Sequence, residues 1–259
     1  MNNNNLTVIH PEAKIGKNVV IEPFAFIEKN VEIGDNCWIG PHVSIMSGTK
    51  IGKNCKIFPG AVVGAVPQDL KFGGEESVVE VGDNVVIREY CTINRGTKAN
   101  HLTKIGNNCL LMAYVHVAHD CIVGDYSILA NNVNLAGHIE IGRNAVLGGL
   151  TAVHQFVQIG EHSMIGGGSL VRKDVPPYVK AAREPLSYVG INGLGLRRRQ
   201  FTADQINTIQ EIYRLLFVRG NNTTQAIDAI ESNISDCQEK ETILKFLRNS
   251  KRGIMRGLK

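Results

Sequence analysis

Four of the chain's eight histidines, His116, His119, His138 and His154, fall in one stretch of sequence and are suited to two kinds of chemistry. A histidine titrating near neutrality can take a proton from a hydroxyl nucleophile, while a carboxylate on its other ring nitrogen fixes the tautomer. Three histidines can instead hold zinc with a fourth position open to water, as in a hydrating or hydrolytic enzyme. Either chemistry requires a scaffold that brings these side chains together.

That scaffold is written as a period of six. An aliphatic residue returns at every sixth position from Ile9 to Val171, and 25 of the 28 slots hold Ile, Leu or Val. The exceptions are Asp69, Glu75 and Ala99. Six matches neither the helical period of 3.6 nor strand alternation, so it marks a repeat architecture. Hexapeptide repeats build a left-handed parallel β-helix, in which three hexads close one triangular coil and the coils stack. The position four past each aliphatic is small or β-branched (Val31, Cys37, Val43, Thr49, Cys55, Ala61, Cys109, Cys121), as a narrow prism requires. Glycine often follows the aliphatic, for example Gly34, Gly52 and Gly124, and is expected to turn the corners.

Residues 18 apart share a side of such a prism, one coil on. Val117, Leu135 and Val153 therefore begin stacked hexads, with His119 two past Val117, His138 three past Leu135 and His154 one past Val153. His116 is expected at the corner entering this face. None of the four takes an inward slot, so all should point outward. At the usual strand spacing His119 and His154 lie roughly 10 Å apart along the axis. Three histidines from this patch could then meet one zinc only across a subunit interface. His42 and His162 fall on other faces and receive no role.

Residues 1–185 are expected to form the solenoid, with loops leaving it at 64–80 and 96–104, and a stop at Asp174-Val175-Pro176-Pro177. After Leu186 the pattern reads helical, giving a C-terminal α-helical domain over 186–259. Thr202 and Gln205 form a capping box there, Gly220-Asn221 closes the first helix, and two more helices follow. No apolar run is long enough to span a membrane, and the Met-Asn-Asn-Asn-Asn start lacks a signal-peptide pattern, which points to the cytoplasm. Cys37, Cys55, Cys91, Cys109 and Cys121 read as small core residues in a reducing compartment. The net charge of +4 is mild, with its basic residues clustered at Arg197-Arg198-Arg199 and at Lys251, Arg252, Arg256 and Lys259.

At HVAHD (His116 to Asp120), LAGH (Leu135 to His138), AVHQF (Ala152 to Phe156), PQDLKF (Pro67 to Phe72) and DVPPY (Asp174 to Tyr178), the chain resembles the UDP-N-acetylglucosamine O-acyltransferases of lipid A synthesis. The resemblance covers essentially the whole chain. It implies transfer of an (R)-3-hydroxyacyl group from acyl carrier protein to the sugar 3-hydroxyl, with no metal or other cofactor. It makes His119 the general base, Asp69 its orienting carboxylate, from its own or a neighbouring chain, and the Gly137 backbone N–H the oxyanion donor. It places Gln68, Lys71, His116, His138, His154 and Gln155 against the sugar nucleotide or acyl chain. Asn192 and Arg198 would hold phosphate and uridine, and Gly167 would set acyl length. It further implies a homotrimer with sites between prisms, and a basic C-terminal cap that meets the acidic carrier protein. Two departures stand out: Leu194 where the family often has Glu, and Arg183-Glu184 where it usually has Gly-Asn.

Other readings remain open. Acyl transfer to a 3-amino sugar nucleotide would use the same residues. The related N-acyltransferase normally carries a domain before its hexads, whereas here hexads begin by Ile9. A zinc-dependent γ-type carbonic anhydrase would use the histidines as ligands, and a non-enzymatic scaffold would not use them at all.

Overall fold

The hexads become short strands, mostly of two residues, that stack in three sheets of nine, eight and ten strands, parallel throughout except for the last strand of the third. The register is strict: Val117 pairs with Leu135, and Leu135 with Val153. The computed structural model describes residues 6–257, so the Met1 to Asn5 run and Lys259 of the basic cluster lie outside the described residues. The fold is a left-handed parallel β-helix with a small C-terminal helical region. Aliphatic slots from Ile27 onward fill the prism at 0–4% exposure, while Ile9, at the open first coil, is 38% exposed. Each such burial contributes about 1.5–3 kcal/mol.

The small slots are inward as expected. Cys55 and Cys121 are fully buried, and their thiols donate to the Gly82 and Ala136 carbonyls of the next coil, each at 3.1 Å. Burial pushes the Cys91 and Cys109 thiols up to about 11 and Cys121 to about 12, so these remain neutral.

Glycine has a different task from the one expected. The corner is turned by the residue three past the aliphatic, in the left-handed region: Asn18, Asn36, Asn54 and His138 have φ of 56°, 59°, 57° and 61°. Asparagine suits that conformation. The glycine after the aliphatic answers the next coil instead, since a Cβ on Gly34 would sit 2.7 Å from the Gly52 backbone.

Three boundaries also move. Strands Val62–Ala65 and Val78–Val81 flank the first excursion, reducing it to residues 66–77. Leu102–Ile105 pairs along Val78–Val81, so the second is only 95–101. Two of the sheets end before the paired prolines as expected, but the third continues past them. Pro176 and Pro177 occupy a turn, where no ladder donor is needed, and Val179–Ala182 then pairs parallel to Met164–Ile165. Ser187–Ile191, expected to be helical, is an antiparallel strand on that new edge. Its Tyr188, Val189 and Ile191 are strand-favouring residues, which suits that place.

Helices begin only at α1 (Gly193–Arg198), followed by α2 (Ala203–Phe217), α3 (Thr223–Asn233) and α4 (Gln238–Asn249). The Thr202/Gln205 capping box forms, and α2 buries Ile206, Ile209, Ile212, Tyr213 and Leu216. It ends at Phe217, before Gly220. Among the described residues, no helix is long and apolar enough to cross a membrane.

Candidate active site

His119 and His138 meet where the first sheet turns into the second. Their rings pack edge to face with centroids 5.0 Å apart, and His138 stacks on Phe156 at 4.5 Å. They leave the prism outward, yet their side chains are only 12% and 20% exposed. Phe156 covers one face of His138, and the 95–101 loop packs on the Asp120 carboxylate beside His119.

The carboxylate on His119 is Asp120, with Oδ2 2.8 Å from Nδ1. Asp120 turns the corner in the left-handed region (φ 59°), which swings its side chain back under the preceding ring. Its side chain is completely buried. Burial alone would raise its pKa. The Thr97 hydroxyl, His119 and the Thr97 N–H outweigh that and hold it below the usual carboxylate range. An ionised carboxylate only accepts hydrogen bonds, so Nδ1 of His119 carries a hydrogen, and in the neutral ring the lone pair falls on Nε2. The ring lies directly over Gly137, where a Cβ would sit 2.5 Å from Cε1 and 2.7 Å from Nε2. Among the described residues the Gly137 N–H meets no backbone acceptor.

Asp69, the carboxylate expected on His119, does not occupy that position within the chain. It sits in the 66–77 loop and accepts from the Lys71 N–H at 3.0 Å. Its charge does reach His138, whose pKa is lowered by burial against the opposing pull of Asp120 and Asp69. Gln68 and Lys71 are exposed in the same loop. His116 is not at a corner. It opens the strand His116–Val117, with Nδ1 2.7 Å from Thr92 Oγ1, and burial lowers its pKa. His154 and Gln155 are exposed one coil on, and Arg252 from the C-terminal segment comes within 3.3 Å of His154 Nδ1.

A divalent cation could find donors here, because one ligand atom each from His119, Asp120 and His138 lies within 4.8 Å of the others. Asp120 Oδ2, however, already receives the Thr97 hydroxyl at 2.7 Å as well as His119.

A second group lies on another face. A cleft of about 1110 Å³ along the third sheet is lined by Tyr126, Lys180, Asn192, Arg197, Arg198 and Arg199, among others. Arg198 is exposed. Arg199 donates to Asn144 Oδ1 at 2.7 Å. Asn192 is buried and caps α1, its amide accepting from Gly195 N–H and donating to the His162 carbonyl. Leu194 is exposed on the cleft wall. Gly167 is exposed two past Ile165, where a Cβ would come within 3.1 Å of the Gly149 carbonyl. One chain therefore brings His119, His138 and Gly137 together, but leaves Asn192 and Arg198 on a different side.

Asp120, Thr97, Thr92 and Phe156 were not singled out from sequence. Asp120 had a legible signal: it directly follows His119, three past an aliphatic slot, where the corner conformation favours Asp or Asn. Thr97 had none, since its partner is 23 residues away.

A three-sided hexapeptide prism with a covered His–carboxylate pair beside a free backbone N–H defines an acyltransferase of the hexapeptide-repeat class. The bacterial transferase hexapeptide model, of six repeats, matches residues 30–65 and 102–137. The model described as UDP-N-acetylglucosamine O-acyltransferase, domain 2, matches residues 174–255. An acyl-[acyl-carrier-protein]–UDP-N-acetylglucosamine O-acyltransferase from a Sulfurihydrogenibium species is 57% identical over 95% of this chain and 92% of its own. The protein of that name from Trichlorobacter lovleyi is 55% identical over 96% and 97%. The crystal structure of a UDP-N-acetylglucosamine acyltransferase from Bacteroides fragilis superposes with a TM-score of 0.96 at 50% identity, covering 98% of this chain and 99% of that one. The chain belongs to the UDP-N-acetylglucosamine O-acyltransferase family.

Proposed function

We propose that the protein transfers an (R)-3-hydroxyacyl group from acyl carrier protein to the 3-hydroxyl of UDP-N-acetylglucosamine, the first step of lipid A synthesis, in the cytoplasm. The observation that carries this reading is the His119–Asp120 bond above Gly137. His119 Nε2 removes the proton of the sugar hydroxyl, and Asp120 steadies the imidazolium that results. The alkoxide attacks the thioester carbonyl, and the Gly137 N–H receives the oxyanion of the tetrahedral intermediate. Collapse expels the thiolate of the carrier, which recovers the proton from His119. The thioester is already activated, so neither metal nor covalent enzyme intermediate is required. Gln68, Lys71, His116, His138, His154 and Gln155 surround the reacting groups. Asp69 meets the substrate side near His138 instead of orienting the base. Gly167 marks the end of the acyl groove.

Asn192 and Arg198 belong to the same site only when contributed by an adjacent prism. This favours the homotrimer, with the basic C-terminal residues free to meet the acidic carrier. The same geometry would acylate a 3-amino group. The test is product formation followed by mass spectrometry, with UDP-N-acetylglucosamine and carrier proteins loaded with (R)-3-hydroxyacyl chains of graded length. A single acylated sugar nucleotide is expected. No product with any donor would turn attention to the amino sugar, and one zinc per chain by metal analysis would overturn the base mechanism.

A further inference from the structure

The 95–101 loop does more than bridge two coils. Thr97 is 5% exposed, and both its polar groups are aimed at Asp120: the N–H reaches Oδ1 at 3.0 Å and the hydroxyl reaches Oδ2 at 2.7 Å. The Asn100 N–H adds a third donor on Oδ1 at 3.2 Å, and the Asp120 N–H is itself held by Thr103 Oγ1 at 2.8 Å. The Thr97 hydroxyl accepts from the Ala99 N–H at 3.3 Å, so its own hydrogen is directed at the carboxylate. With His119 on Oδ2, the buried carboxylate has its acceptor sites filled in one orientation. The loop is fastened in turn to the 66–77 loop. Lys98 N–H donates to Glu75 at 2.9 Å, and His101 Nδ1 lies 2.8 Å from the Glu76 carbonyl.

We propose that Thr97 is a positioning residue for acyl transfer: its hydroxyl and N–H fix the Asp120 carboxylate, and through it the tautomer and orientation of His119. This rests on His119 being the base. Loss of the hydroxyl leaves His119 as the one hydrogen-bond donor on Oδ2, while the Thr97 and Asn100 N–H groups still hold Oδ1, so the carboxylate can pivot about Oδ1 and carry Oδ2 away from Nδ1. Small misplacements of a reacting group are costly in rate.

The test is steady-state transfer with Thr97→Val, Thr97→Ser and Thr97→Cys, alone and combined with Asp120→Asn. Thr97→Val should lower kcat about 10- to 100-fold with KM for both substrates nearly unchanged, and Thr97→Ser should restore it. In the Asp120→Asn background, Thr97→Val should add little, because both changes act along one path. A purely structural role would instead multiply the two losses, and that result overturns the proposal, as does a native kcat for Thr97→Val. Should Thr97→Val not fold, Thr97→Cys is compared with Thr97→Ser: the weaker thiol donor should give the lower kcat, and a Thr97→Cys kcat equal to that of Thr97→Ser overturns the proposal. His119→Ala run alongside separates the two levels. An inactive His119→Ala with an active Thr97→Val sinks only the positioning role, whereas an active His119→Ala sinks the base assignment beneath it.

Discussion

The histidine corner and the arginine cleft are built on opposite principles. At the corner the carboxylate is fully paired and the ring is held: Asp120 accepts from Thr97, Asn100 and His119, and His119 is pinned between Asp120 and Gly137, which leaves Nε2 and the Gly137 N–H open to a ligand. Burial makes each of those bonds count, because an unpaired carboxylate there would cost several kcal/mol. In the cleft, Arg197 and Arg198 stand exposed, whereas Arg199 and Asn192 are tied into the fold. The corner has the pre-organisation that the proposed reaction needs. The cleft is a solvated cationic surface suited to a charged ligand that brings its own partners. In the proposed mechanism, chemistry that needs one exact tautomer falls where the scaffold leaves little freedom, and binding that needs charge falls where desolvation is small.

Four experiments probe that contrast. The largest effect is expected at the corner: His119→Ala should lower turnover by about 10²–10⁴-fold with an unchanged melting temperature, measured by acyl transfer and thermal unfolding. Gly137→Ala follows. Its methyl would fall well inside contact distance of the His119 ring, so the ring must tilt, and about a 10²-fold loss in kcat is expected. In the cleft, Arg198→Ala should act chiefly on KM for the sugar nucleotide, raising it about 10-fold, as fits one charge-assisted hydrogen bond. The two regions can be joined in one measurement. Mixed oligomers of His119→Ala and Arg198→Ala chains should recover activity above either parent if a site draws on two prisms. No recovery would mean that the arginine cleft serves something else.

The smallest effect concerns His162, which is buried under Tyr178 and Phe201 with both ring nitrogens unpartnered. Burial, with Arg199 and Arg143 nearby, lowers its pKa from 6.5 to about 4. The folded pKa lies below the unfolded one, so the unfolded chain binds the proton first. Stability should therefore fall as pH drops from 6.5 towards 4 and level off below that. His116 and His138, also lowered, add to the same slope. His162→Phe should flatten part of it and change stability near neutral pH by less than about 1 kcal/mol. Phe24 and Phe156 already take that corner conformation. A slope identical to the parent's in pH-dependent denaturation would remove His162 from the account.

The hexad period by itself determined the parallel prism, its inward residues and the outward placement of the histidines, and the Thr202-x-x-Gln205 spacing determined the capping box of α2. Each of these follows from spacing along the chain, because a coil repeats at fixed length. Sequence spacing did not reveal that glycine serves the close approach of stacked coils, since that contact is between backbones one coil apart. Nor did it show that Ser187–Ile191 would pair with an edge left open by Val179–Ala182. The carboxylate on His119 was likewise a tertiary matter. Asp69 was the expected partner, but the left-handed turn at Asp120 folds its own carboxylate under the ring, and a threonine from another coil locks it there. The separation of Arg198 from His119 onto different sides was decided only by the closure of the prism, because three sides at fixed angles cannot face one ligand from a single chain.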